Sequence, residues 1–326
     1  MSVAEIEAHE LEGHPAAGGL WSDAWRRLRK NPGAIVGFVL VGLFVFVGIF
    51  APWLAPHSPL DQDLSLIANG CCPGPSREHW FGVDELGRDE FSRVLYGARS
   101  SLVIGVVAVA VGMSVGLVFG AIAGYFGRYS DSIVMRLMDI MLAIPGLLLA
   151  IGVAAMLGPG RWQIMVAVGV ASIPIFARLV RGSILAQREN DFVLAARSVG
   201  VHRRTILYGH ILPNAISPVI VQGTLAMATA IIDVAGLGFL GLGPQDPATP
   251  EWGTMLSDVN DYLQTAPWLA IVPGIAIVLS VLGFNLIGDG LREALDPKLR
   301  GRTGKFRERS RLSYLGVGRR KAVSGV

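Results

Sequence analysis

Three places in the chain gather side chains able to do polar chemistry. Asp84, Glu85, Arg88 and Asp89 crowd four charges into six positions, with Arg93 and Arg99 close behind. Asp191, Arg197, Arg203 and Arg204, with His202 and His210, form a polar island between two apolar segments. Asp233 stands alone in an apolar run. Guanidinium groups facing carboxylates make strong, directional ion pairs. The first cluster can therefore be a binding site, or a hydrogen-bonded loop that seats the helix after it. A carboxylate inside an apolar segment is a candidate for lining a path or touching a substrate. Near the end of that segment it can also simply reach water.

Covalent chemistry is not expected. The sequence has no Gly-x-x-x-x-Gly-Lys-Ser/Thr phosphate loop, and its 41 glycines are scattered through apolar stretches. No serine stands in a nucleophile-elbow setting with an evident base. The histidines (His9, His14, His57, His79, His202 and His210) are dispersed, and His202 and His210 lack a third ligand. No catalytic residue, metal site or bound cofactor is predicted. Cys71 and Cys72 are direct neighbours, poorly placed to bond to each other, so free thiols are expected.

These residues need a membrane around them. Hydrophobic residues make up 52% of the 326, charged residues 16%, and the mean hydropathy is +0.52. The predicted class is an all-α membrane protein with six transmembrane helices, at about 34–54, 102–125, 133–157, 162–180, 214–237 and 268–291, each near the 20 or so apolar residues a bilayer core requires. Residues 1–33 form a polar N-terminal segment, 55–101 an external loop, 102–291 the core, and 292–326 a basic tail. Arg26, Arg27, Arg29 and Lys30 precede the first span, and no Lys or Arg occurs between Arg204 and Arg292. By the positive-inside rule both termini and the island at 191–213 are cytoplasmic. The tail has few aromatics and follows a span, so its charge is a topology signal, with anionic lipid as a secondary contact and no nucleic-acid partner expected.

Within the spans, Gly105, Gly112, Gly116, Gly120 and Gly124 form a small-residue stripe, predicting close packing against another helix backbone. Arg136 and Asp139 can pair at i, i+3. Pro145-Gly146 predicts a kink in the third span. In the island, Asp191 suits an N-cap and Gly200 a helix end. Phe192, Ala195, Ala196 and Val199 fall at i, i+3, i+4 and i+7, an apolar face without a core of its own.

The segment Ala195-Ala196, Gly200 and Ile211-Leu212-Pro213 resembles the EAA loop of permease subunits in bacterial ABC importers, with Leu194 where that family has Glu and His210 where it has Ile. Phe81-Gly82-Val83-Asp84, Gly87-Arg88-Asp89, Ser92-Arg93 and Gly97-Ala98-Arg99-Ser100-Ser101-Leu102 resemble the C-type permease of the dipeptide, oligopeptide and nickel importers. So do Phe239-Leu240-Gly241-Leu242-Gly243, Trp252-Gly253-Thr254-Met255-Leu256 and the run from Leu295 to Arg300.

The resemblance implies a type I ABC importer permease in the bacterial inner membrane. It also implies a heterodimer with a second permease, two cytoplasmic ATPase domains carrying ATP and Mg, and an external substrate-binding protein. The island would be the coupling helix, docking by Phe192, Ala195, Ala196 and Val199 in an ATPase cleft, with Arg197, Arg203 and Arg204 on the rim. A Glu at 194 could have closed a capping box with Asp191; Leu194 removes that charge. Asp84, Arg88, Asp89 and Arg99 would belong to the external gate or loop, and Asp233 to the substrate path. The implied cargo is a dipeptide or oligopeptide. Nickel or another small solute is the alternative, and an autonomous secondary transporter a more distant one.

Overall fold

A computed structural model describes residues 20–68 and 70–295. The expectations for 1–19 and for the tail from Asp296, including the motif up to Arg300, lie outside the described residues. Among the described residues there is no strand, only an isolated bridge between Val83 and Asp89. Helix α1 covers Leu20–Leu28 and α2 Pro32–Leu54. Asn31 caps α2 by accepting from the Ala34 amide at 3.1 Å, and Pro32 occupies the first turn, where its missing amide proton costs nothing. The Asn31 amide also donates to Glu293 at 2.7 Å, tying the start of α2 to the end of the last helix.

A four-residue helix, α3 (Leu64–Ile67), leads into the long α4, Glu90–Phe126. Its 37 residues span about 55 Å at 1.5 Å per residue, well beyond a hydrocarbon core of about 30 Å. The second helix therefore begins at Glu90, not near residue 102. Glu90, Arg93 and Arg99 depress hydropathy without breaking the helix, so hydropathy located only its apolar part.

The third predicted span is two helices, α5 (Arg128–Leu142) and α6 (Gly146–Leu157), bent by 90° at the break between them. Pro145 cannot donate to a helical ladder and disfavours helical backbone in the residue before it, and here the result is a corner, not a kink. Nor do Arg136 and Asp139 pair. Asp139 meets Arg178, and Asp131 meets Arg181 at 2.7 Å, both from the facing helix α7 (Arg161–Arg188), while Arg136 is exposed.

After α7 come α8 (Asp191–Ser198), α9 (Arg203–Thr205) and a π-helical stretch, Ile206–Ile211, which runs without interruption into α10 (Leu212–Phe239). Helix α11 (Trp252–Asp258) and a 3-10 turn at Asn260–Tyr262 precede α12, Trp268–Leu295. Five helices are long and apolar enough to cross a membrane, with the bent α5–α6 pair supplying a sixth passage if counted as one.

The glycine stripe of α4 faces α7. A β-carbon on Gly116 would lie 2.5 Å from Phe176 Cβ and 2.9 Å from the Ile173 carbonyl, and one on Gly120 2.5 Å from the Ala177 carbonyl. Gly105 is looser, 3.5 Å from Ile231 and Met227 of α10. The main core gathers Ile104 and Ala108 of α4, Phe176 and Ile184 of α7, and Ala230 and Val234 of α10. Ile35, Val39, Phe46 and Ile49 of α2, like Ile271, Ile275 and Val278 of α12, point outward instead. That inverted surface is stable only against lipid or another subunit.

Candidate functional site

The two ends of the bundle carry different chemistry. At one end lie Gly127, the close of α7 and residues 191–211. Asn190, not Asp191, is the N-cap of α8, and its side chain makes no capping bond. Asp191 is the first helical residue, where its charge complements the helix dipole. Position 194 is therefore beyond the third helical residue, and a Glu there could not have closed a capping box with Asp191. Gly200 ends the segment as the sequence suggests: at φ +77° its amide reaches the Arg197 carbonyl at 3.0 Å, while the Val201 amide reaches that of Ala196 at 3.0 Å. This paired closure is the Schellman motif, which a residue with a β-carbon adopts only at a cost.

Burial divides the predicted apolar face. Val193, fully buried, anchors α8 to the main core, with Ala196 packed beside it. Phe192, Leu194, Ala195 and Val199 stay exposed. Sequence reasoning missed Val193 because Val193 and Ala196 have the same i, i+3 spacing as Phe192 and Ala195, and a helix of two turns does not reveal which stripe its own fold covers. Arg197, Arg203 and Arg204 converge on a cavity of about 1110 Å³ between α4 and the island, lined also by Tyr125, His202 and Tyr208. Its wall is fixed by the Tyr125 hydroxyl, which donates to the Arg203 carbonyl at 2.6 Å, and by Arg188, which donates to the Gly124 carbonyl at 2.9 Å.

At the opposite end the charged cluster is a buried network. Asp84 accepts from Arg88 Nε at 2.6 Å and pairs with Arg93 at 3.1 Å; Arg93 reaches Asp258 at 3.2 Å and Arg88 stands 3.7 Å from it. Asp89 caps α4, accepting from the Ser92 amide at 2.8 Å and hydroxyl at 2.6 Å. Arg99 is exposed and takes no part; its backbone lies against Gly48 of α2. Arg93 and Asp258 are the members that short-range pattern could not assign, because the contact spans 165 positions. The network borders a cavity of about 290 Å³ closed by the turn at Gly241 and by Gln245, Asp246 and Thr254.

Next to it, Glu251 is fully buried. One carboxylate oxygen accepts from the Ser101 hydroxyl at 3.0 Å and the other from the Thr254 amide at 3.0 Å, capping α11. The Ser101 hydroxyl accepts in turn from the Trp252 amide at 3.2 Å, and the Trp252 indole donates to the Val94 carbonyl at 3.1 Å. Burial pushes the Glu251 carboxyl above its ordinary range, against the lowering effect of the Gly253 and Thr254 amides and the Ser101 hydroxyl. The folded state thus binds this proton more tightly than the unfolded chain. Its contribution to stability is complete below the ordinary carboxyl range and is lost as pH rises through the raised value. Glu251→Gln should therefore gain thermal stability relative to wild type as pH is raised from 4 to 8, followed by tryptophan fluorescence on the purified chain. Parallel pH profiles for the two proteins would contradict this.

Asp233 is half-buried in α10, one turn before Leu237, and makes no ion pair among the described residues. Cys71 and Cys72 are joined to each other, not free, and pack with Val259, Ala266 and Leu269 in a small apolar cluster. That enclosure by the loop before α12 is not visible in the local sequence.

Comparison with known proteins agrees with this layout. Residues 116–301 match the family described as binding-protein-dependent transport system inner membrane component, and residues 19–69 match the N-terminal TM domain of oligopeptide transport permease C. The dipeptide transport system permease protein DppC of Alkalihalophilus pseudofirmus is 48% identical over 280 residues, 86% of this chain and 90% of that protein. The glutathione transport system permease protein GsiD of Escherichia coli O157:H7 is 48% identical over 281 residues, 86% and 91% of the two chains. A chain of the MetNI methionine ABC transporter, solved in inward-facing conformations, superposes with a TM-score of 0.53 at 18% identity over 63% of this chain and 97% of its own, which shows the fold. The buried glycine interface, the multi-pass architecture and these matches lead to one conclusion: the chain belongs to the family of inner membrane components of binding-protein-dependent transport systems.

Proposed function

We propose that this chain is one of two permease subunits of an ATP-driven importer of dipeptides or short oligopeptides, with the peptide class suggested by the dipeptide and glutathione permeases it resembles. The observation that carries the coupling role is α8, anchored by buried Val193 while Phe192, Leu194 and Val199 remain exposed beside a rim of arginines. A short helix held from behind and apolar in front fits a groove on a partner. That partner is a cytoplasmic ATPase pair, which binds ATP and Mg; this chain binds neither and catalyses nothing. Closure of the ATPases moves α8, and the Schellman closure at Gly200 together with the continuous helix from Arg203 to Phe239 passes the motion to α10.

In this reading both termini are cytoplasmic and the Asp84–Arg93–Asp258 network is external. It braces the loops that meet the substrate-binding protein, so Asp84, Arg88 and Asp89 are structural members of that face. Arg99 faces lipid or the second permease, and Asp233 lines the path.

The cargo is tested by deletion. Cells lacking this chain should lose uptake of a labelled dipeptide and keep nickel accumulation. Loss of nickel alone, with dipeptide uptake intact, would overturn the peptide assignment.

A further inference from the structure

His57, His79 and Asp89 come from three separate segments, and the fold brings them together. His57 follows the end of α2, His79 lies in the loop before α4, and Asp89 caps α4. One possible ligand atom from each lies within 4.8 Å of the other two. His79 Nδ1 is 2.9 Å from Asp89 Oδ1, His57 Nδ1 is 3.8 Å from Asp89 Oδ2, and the two imidazole rings are 4.8 Å apart. Asp89 Oδ2 is held by the amide and hydroxyl of Ser92, which fixes the carboxylate and leaves Oδ1 turned to His79. His57 Nδ1 is buried with no hydrogen-bond partner. A buried imidazole nitrogen without a partner, aimed at a second imidazole and an oriented carboxylate, is an incomplete site.

We propose that His57, His79 and Asp89 bind a late first-row divalent cation, for which zinc(II) is the probe. Two imidazoles and one carboxylate suit zinc, whereas calcium and magnesium require a shell of oxygens. Bonds of about 2.0–2.2 Å set tetrahedral ligands about 3.3–3.6 Å apart, close to the 2.9 Å and 3.8 Å that separate the two imidazoles from Asp89. Binding requires His79 to carry its proton on Nε2, exchanging its bond to Asp89 for the metal, while His57 gains its missing partner. The His57 side chain is 37% exposed, leaving a side open to water as a further ligand. The ion would clip the segment after α2, the loop around His79 and the first turn of α4 into one unit. This site is independent of the transport assignment, and its test does not read transport.

Full-length, tag-free chain in lipid nanodiscs is titrated with zinc(II) against a chromophoric chelator at neutral pH. His57→Phe keeps a ring beside His79 and removes no hydrogen bond, so the Asp89 cap and the fold survive; His210→Gln serves as the control. Loss of a supporting group costs metal affinity about 10–100-fold, so loss of a ligand should cost at least about ten-fold. Expected are one tight equivalent in wild type and in His210→Gln, and at least about a ten-fold weaker one in His57→Phe and in His79→Gln. Equal zinc affinity in wild type and His57→Phe, or no tight equivalent in wild type, would overturn the site and leave His79 as a hydrogen-bonded brace for Asp89.

Discussion

Phe192→Asp should abolish ATP-driven uptake and substrate-stimulated ATP hydrolysis while leaving the amount of chain in the membrane unchanged. Phe192 is 41% exposed and does not belong to the main core, so its replacement removes little from the fold itself. In the proposed docked complex the same side chain would fill an apolar groove. A carboxylate there loses that burial, about 1.5–3 kcal/mol for a Phe side chain, and adds the desolvation of a charge, several kcal/mol more. At 1.4 kcal/mol for each factor of ten, the coupling contact weakens by well over about 100-fold. Val193→Asp makes the contrast: with its side chain wholly buried, that change should reduce the folded protein as well as activity. Wild-type stimulation by Phe192→Asp in a reconstituted complex would remove α8 from the coupling path.

Gly116→Leu should prevent the chain from reaching a stable folded state in the membrane. Even a single β-carbon would lie 2.5 Å from Phe176 Cβ and 3.1 Å from the Ala177 backbone nitrogen, so the remaining atoms of Leu have no space unless α4 and α7 separate. Ordinary overpacking costs about 1–3 kcal/mol because side chains can give way. Here backbone stands in the way and the expected loss is about 3 kcal/mol or more. Gly42→Leu supplies the comparison, since no atom beyond its chain neighbours and its own helix backbone lies within 4 Å of the added carbon. Yield of monodisperse protein after detergent extraction, together with resistance to protease, reads the difference. Equal yields for the two substitutions would contradict the packing assigned to the stripe.

The glycine stripe was legible because spacings of four project one helix face, and a helix needs no distant information to do so. The end of the island at Gly200 was legible for a similar reason, being local backbone chemistry. Hydropathy located the apolar part of each span but could not see helix continuing through charged residues, which is why α4 begins at Glu90. Nor could it distinguish a kink at Pro145 from the right-angle corner between α5 and α6. What escaped the sequence was long-range pairing. Asp139 finds Arg178 rather than Arg136, Arg93 reaches Asp258 across the network, and His57 meets His79, because the partner in each case sits on a different element. The charges around Asp84 could be seen as a cluster, yet their role as a buried brace depends on α11 folding back beside α4.

Reconstitution tests the central claim most directly. Proteoliposomes containing this chain and a second permease are loaded with ATP and supplied outside with the binding protein and a labelled dipeptide, with and without the cytoplasmic ATPases. Uptake should occur only when the ATPases and ATP are present, and should stop when Phe192→Asp replaces the wild-type chain. Dipeptide accumulation by this chain in the absence of the ATPases would contradict the account and favour an autonomous carrier.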